Sequence, residues 1–178
     1  LALARPDTLS YASAGNGTPM HVAGELLKIR GNVSMVHVPY KGAAPALTDL
    51  VGGQVDLGVS TLSAALPHIR SGKVKALAVT TAKRTELAPD IPTIAETPGL
   101  EGFDLGVWFG LFAPAGAPAD VTRKLAADTQ AVLQDPALRK RLAEVGITPS
   151  GASADALAKF MVGETETYRK VVETAKIV

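Results

Sequence analysis

Three short stretches of this chain carry residue types that can hold an anion without consuming it. They are Ser13, Asn16, Gly17 and Thr18 in SAGNGTP, then Gly42, Ala43 and Ala44 in YKGAAPA, and Ser60 with Thr61 in VSTLS. The first offers hydroxyls and backbone N–H groups just ahead of Pro19, which suits a first helical position, with Thr18 as a natural N-cap. The second offers bare N–H groups at another helix start. A helix start carries up to four N–H groups without intrahelical partners and a partial positive charge, which favours an anion by roughly 0.3–1 kcal/mol when exposed and up to about 2 when partly buried. The residues alone favour blander readings, plain N-capping at Thr18 and an ordinary glycine turn at Gly42. Ser60 and Thr61 end an apolar strand, where their hydroxyls could donate to a ligand on the same rim.

Covalent chemistry finds less support. A nucleophile elbow needs a second glycine, which Gly58-Val59-Ser60-Thr61-Leu62 lacks. Gly15-Asn16-Gly17 is too short for a dinucleotide fingerprint, and no phosphate-binding Gly-Lys-Ser/Thr sequence occurs. A triad of Ser60, His21 and Asp56 can be drawn, but nothing in the spacing fixes its geometry, so no catalytic residue is expected. His21, in the first turn of its helix, is either a ligand contact or base, or a hydrogen-bonded structural histidine, and the structural role is the stronger reading. His37 and His68 have no candidate ligand near them in sequence, so neither a metal site nor a cofactor is expected. Lys41 reads as a solvated turn lysine, and Trp108 with Phe109 as core rather than cleft lining.

The elements that would position these groups follow from hydrophobic periodicity. Leu9 to Ser13 predicts a strand, Thr18 to Gly31 a helix with Ala23, Leu26 and Leu27 inward, and Val33 to Val38 a strand ended by Pro39. Ala44 to Val51 reads as a helix stopped by Gly52-Gly53. Val55, Leu57 and Val59 resume a strand, Ser60 to Ser71 a helix, and Ala76 to Thr81 a further strand. Strands joined by helices run parallel, so the order βαβαβαβ implies an α/β fold with a parallel-dominated sheet and helices on both faces. Residues 83–102 read as a proline-rich connector with one helical turn near Thr93 to Glu96, and Gly106 to Ala113 as a buried strand. Helices over Asp120–Leu133, Pro136–Val145 and Ser153 to about Ala175 close the chain, with a short edge strand at Gly146–Pro149.

Composition narrows the function. The 178 residues include 47% hydrophobic ones, enough for a core, and the net charge of +1 without like-charge runs gives no electrostatic footprint for nucleic acid or an anionic membrane. No apolar run reaches spanning length. The absence of cysteine removes disulfides, zinc–thiolate sites and thiol catalysis.

The block VPYKGAAPALTDLVGGQVDLGVS, preceded by SYASAGNGTPMHVAGELL and followed by LPHIRSGKVKALAVT, resembles the receptors of tripartite tricarboxylate transporters, the Bug-type periplasmic solute-binding proteins. The match continues through PTIAETPGLEGFD and WFGLFAPAGAP to the C-terminus. The resemblance implies a type II periplasmic-binding-protein-like fold of two lobes. Residues 1–102 would form the second, ligand-binding lobe with its connector, and residues 103–178 the crossover strand and C-terminal helices of a first lobe incomplete in this chain. Members carry a further N-terminal stretch, with a signal peptide in the precursor, so Leu1 to Pro6 is read as the end of a helix and not as a leader. Too little sheet would then remain for the closing helices, leaving apolar faces such as Val121, Leu125 and Val132 exposed.

The function implied is capture of a small carboxylate, a di- or tricarboxylate or aromatic acid, in the periplasm for the membrane components of a tripartite transporter, with no chemistry, no cofactor and no direct membrane insertion. It turns Ser13, Asn16, Gly17, Thr18, Gly42, Ala43, Ala44 and Ser60 towards ligand contact. Members with amino-acid ligands tend to carry Asp at the place of Ser60, which argues against such a ligand here. The alternatives are an α/β serine hydrolase and the effector-sensing domain of a regulator, the latter without a visible helix-turn-helix segment.

Overall fold

A computed structural model describes residues 1–177. The chain divides into two units, one of Leu1–Val107 with the chain from Tyr168 onward and one of Trp108–Thr167.

The first unit is built on three parallel strands, β1 (Ser10–Ser13), β2 (Val36–Pro39) and β3 (Leu57–Gly58), in the order β2-β1-β3. Helices α1 (Pro19–Gly31) and α2 (Ala43–Val51) make the crossovers, and α3 (Leu62–Arg70) follows β3. Alternation along β1 divides its side chains between the two faces of the sheet. Ala12 packs with Ala46 and Val55, and with Leu50, on the side of α2. Tyr11 turns towards α1, and a second core of Val22, Ala23, Phe103, Leu105 and Val171 forms with Leu26, Leu27 and Ile94 around it. The start at Thr18 and the last residue Gly31 read from sequence for α1 both hold, while the residue that closes it is Asn32, which the sequence reading did not single out. Thr18 caps its start and left-handed Asn32 (φ 48°) closes it, its N–H reaching back to the helix carbonyls.

The strand expected over Ala76–Thr81 is reduced to one parallel bridge between Val79 and Thr93, with Val79 N–H donating to Pro92 O (2.8 Å) and Ile94 N–H to Val79 O (2.9 Å). Thr93 there starts a 3₁₀ turn, Ile94–Glu96, closed by a reciprocal capping box.

The second unit contains α4 (Ala119–Val132), α5 (Pro136–Glu144) and most of α6 (Ala154–Ala175). The buried strand expected over Gly106–Ala113 does not form, and Phe109, Leu111 and Phe112 stand 76%, 78% and 64% exposed. An extended apolar segment needs a neighbouring strand to become a ladder, and the described residues supply none there. The same reason removes the edge strand at Gly146–Pro149, where Ile147 N–H instead closes α5 on Leu142 O. Val121, Leu125 and Val132 on α4 are about half exposed, as expected for helices lacking a sheet to cover.

Candidate functional site

Because the three strands run parallel, the turns that follow Ser13, Pro39 and Gly58 come together at the carboxyl edge of the sheet. Backbone hydrogen bonds join them. Tyr40 N–H donates to Ser13 O (3.1 Å), Gly42 N–H to Ala14 O (3.0 Å) and Val59 N–H to Ala12 O (2.9 Å). Gly15 comes so close to the second turn that a Cβ there would lie 3.0 Å from Tyr40 O.

The three helix starts on this edge differ in what they leave free. At α1 the Thr18 hydroxyl donates to Gly15 O (2.7 Å) and accepts from His21 N–H (3.4 Å), while His21 Nδ1 accepts from Gly17 N–H (3.1 Å). That terminus thus caps one of its own N–H groups, that of His21, while the N–H of Met20 keeps no intrahelical acceptor. At α2 no side chain caps the helix, and Gly42 takes φ 119°, a conformation L residues rarely adopt, with open space where a Cβ would stand. The Ala43 and Ala44 N–H groups, in the first helical turn, have no intrahelical acceptor, and Pro45 has no N–H to leave unpaired. At α3 Thr61 is the N-cap residue but its side chain makes no capping bond, so the N–H groups of Leu62 and Ser63 stand in the same position. Beside them the Ser60 Oγ is enclosed and, among the described residues, has no hydrogen-bond partner. A buried hydroxyl left unpaired costs about 1–3 kcal/mol, so this atom asks for a partner.

Beneath the first turn lies a connected polar group. Ser13 Oγ sits 2.7 Å from His37 Nε2, the His37 ring stacks on His21 with centroids 3.8 Å apart, and His21 Nε2 is 3.9 Å from Glu25 Oε1. Glu25 also accepts from the Tyr11 hydroxyl (2.6 Å) and from Lys28 Nζ (2.9 Å). Burial, with the neighbouring His21 second, pushes the His37 imidazole down to about 4, and burial lowers that of His21 against the pull of Glu25. Burial and the Glu25 carboxylate push the Tyr11 hydroxyl up. Both imidazoles are therefore neutral at neutral pH.

Each residue singled out in the sequence can now be placed. Asn16 and Gly17 are exposed at the crest of the first loop, Gly42 and Ala43 are half-buried, and Ala44 is exposed. Ser13 is fully enclosed, its hydroxyl held between His37 and the Gly15 backbone, and Thr18 is spent on its cap. Lys41 is exposed. Asp56 precedes β3 and holds the Ser10 N–H and hydroxyl (both 2.8 Å), at the opposite edge of the sheet from Ser60, so the Ser60–His21–Asp56 triad is not assembled. Phe109 is exposed rather than core, whereas Trp108 donates to Glu164 (3.1 Å) and meets Phe160 edge-on at 5.4 Å. The described residues contain no cluster of three or more metal-ligating side chains.

The His21–His37 pair escaped the sequence reading. A signal existed: α1 joins β1 to β2, which places its first turn over the carboxyl ends of both strands, and His37 lies two residues before the end of β2.

Residues 1–177 match the family described as tripartite tricarboxylate transporter family receptor. The chain belongs to that family. A protein encoded between tcbD and tcbE in Pseudomonas sp. (strain P51) is 40% identical over 167 residues, spanning 94% of this chain and 50% of that one. The Rhodopseudomonas palustris protein Rpa4515, solved with adipate, superposes with a TM-score of 0.88 at 36% identity over 99% of this chain and 59% of its own. MatC (Rpa3494) from the same organism, solved with bound malate, gives 0.77 at 35% identity over 93% and 57%. The architecture is the α/β fold of periplasmic binding proteins, and the chain spans about half the length of these family receptors.

Proposed function

We propose that the carboxyl edge of the β2-β1-β3 sheet is a carboxylate-binding rim, and that the chain serves as part of a periplasmic receptor presenting a small di- or tricarboxylate or aromatic acid to a tripartite transporter. The observation that carries this is the pairing of two uncapped helix starts, at α2 and α3, with the unpartnered Ser60 hydroxyl. A carboxylate accepting from Ala43 and Ala44 on one side and from Ser60 with the Leu62 and Ser63 N–H groups on the other would give these donors an acceptor. Hydrogen bonds to a charged acceptor are about twice as strong as neutral ones, and each helix dipole adds its own contribution. The family membership and the adipate and malate in two similar structures support this ligand class. The reading needs no catalysis, in keeping with a triad that does not assemble.

Calorimetric titration with adipate and malate tests it, alongside chromatography of the acids after long incubation. Binding of a carboxylic acid, with the acid recovered unchanged, is expected. Steady turnover of an ester or amide, lost in Ser60→Ala, would replace this reading with a hydrolase.

A further inference from the structure

The polar group beneath the rim makes a demand that ligand binding alone does not explain. His21 accepts from Gly17 N–H through Nδ1 at 3.1 Å, so that nitrogen must present its lone pair, and the ring's proton sits on Nε2, facing Glu25. Gly17 is held at φ 69° in the loop that also carries Asn16, Gly15 and the Thr18 cap. The loop's shape at the rim is thus tied to one lone pair on a stacked, buried histidine.

We propose that the stacked His21–His37 pair positions the loop from Gly15 to Thr18, and that adding a proton to His21 releases the loop and lowers the affinity of the rim for its carboxylate. The affinity clause rests on the function proposed above, whereas the loop clause does not.

A proton added to His21 lands on Nδ1, because Nε2 already bears one. Nδ1 then becomes a donor facing the donor N–H of Gly17, and their hydrogen bond is replaced by repulsion. The groups facing the pair decide which ring takes the proton. From α1 they are Glu25 and Lys28, whose ammonium lies 2.9 Å from Glu25 Oε1. From β1 they are Tyr11, whose ring stacks on His37 at 4.8 Å and whose hydroxyl donates to Glu25, and Ser13, bonded to His37. Lys176 lines the cavity beside His21 from the end of the chain. The carboxylate nearest the pair lies on the His21 side, so His21 protonates first, and its charge then discourages a second proton on His37 stacked at 3.8 Å. Burial alone would keep both rings neutral to lower pH, which sets the response on the acid side of neutrality. Solvent reaches His21 through a cavity of about 250 Å³ lined by Asn16, His21, Glu25 and Lys28 with the end of α6 and the residues just after it.

The test follows the Gly17 amide and both imidazole rings by NMR between pH 7.5 and pH 5, in the wild type and in His21→Asn. An asparagine places an oxygen near the position of Nδ1 and cannot titrate. The expected result is a Gly17 amide shift in the wild type whose midpoint coincides with that of the His21 ring, and a flat response in H21N. An amide that stays fixed while His21 titrates, or one that moves equally in a folded H21N, overturns the proposal. Should H21N not fold, coincidence or mismatch of the two wild-type midpoints decides it. Titrating adipate and malate at the same pH values then reads the affinity clause: a loss of roughly fivefold or more at pH 5 in the wild type, absent in H21N, is expected. Equal affinity at both pH values contradicts that clause. If neither acid binds at pH 7.5, the carboxylate reading and the affinity clause fail, and the amide still judges the loop.

Discussion

Gly24 of α1 lies so close to Tyr11 of β1 that a Cβ on Gly24 would stand 2.3 Å from the tyrosine Cε2. This contact lets the helix settle onto the strand, and it is why the Tyr11 hydroxyl meets Glu25 one residue further along, at 2.6 Å. Overpacking of a filled core costs typically about 1–3 kcal/mol, so Gly24→Ala should destabilise the first unit by that order even though alanine is the better helix former. Urea unfolding measures it. An unchanged or raised midpoint would mean that the helix can lift off the strand without cost.

Ser60→Ala separates stability from function. The hydroxyl is enclosed and unpaired, so its removal should leave unfolding unchanged or stabilise the chain by up to about 1 kcal/mol. The same change should weaken malate or adipate binding roughly fivefold or more, because a donor to the carboxylate is lost. Destabilisation of the unliganded protein would show that Ser60 already has a partner within the fold.

Stability should fall in mild acid. The folded-state value of His37, about 4, lies below its ordinary value near 6.5, so below pH 6.5 the unfolded chain binds more protons than the folded one. The contribution is fully present above about pH 6.5 and is lost as the pH drops towards 4, on the order of 1–3 kcal/mol, with His21 acting in the same direction. Urea midpoints at pH 7.5 and pH 5 should differ, and the difference should shrink in His37→Gln. Equal midpoints in the wild type would contradict the buried, neutral state of the pair.

The local signals in the sequence concerned backbone chemistry, and they carried far. Thr18-Pro19 located the start of α1, Gly52-Gly53 the end of α2, and the alternation of strands and helices the parallel sheet whose carboxyl edge gathers Gly42 and Ser60. What failed depended on partners distant in the chain. Gly106 to Ala113 has the composition of a buried strand, but a strand exists only when another lies beside it, and here Val107, Phe109, Leu111 and Phe112 stand exposed. His37 and His21 are 16 positions apart, and only the β1–β2 register together with the α1 crossover brings them into stacking contact. The capping state of α2 and α3 was equally hidden, since Thr61 has the side chain of a good N-cap and does not use it.

The claim that a carboxylate is held by backbone N–H groups at two helix starts is tested most directly by an amide-resolved NMR titration with malate and adipate at pH 7.5. The largest shifts should fall on Ala43 and Ala44 at the start of α2 and on Leu62 and Ser63 at the start of α3, and Lys41→Ala should leave both the pattern and the affinity nearly unchanged. Shifts centred elsewhere on the first unit, or loss of most of the affinity with Lys41→Ala, would contradict it and identify a side-chain charge as the anchor.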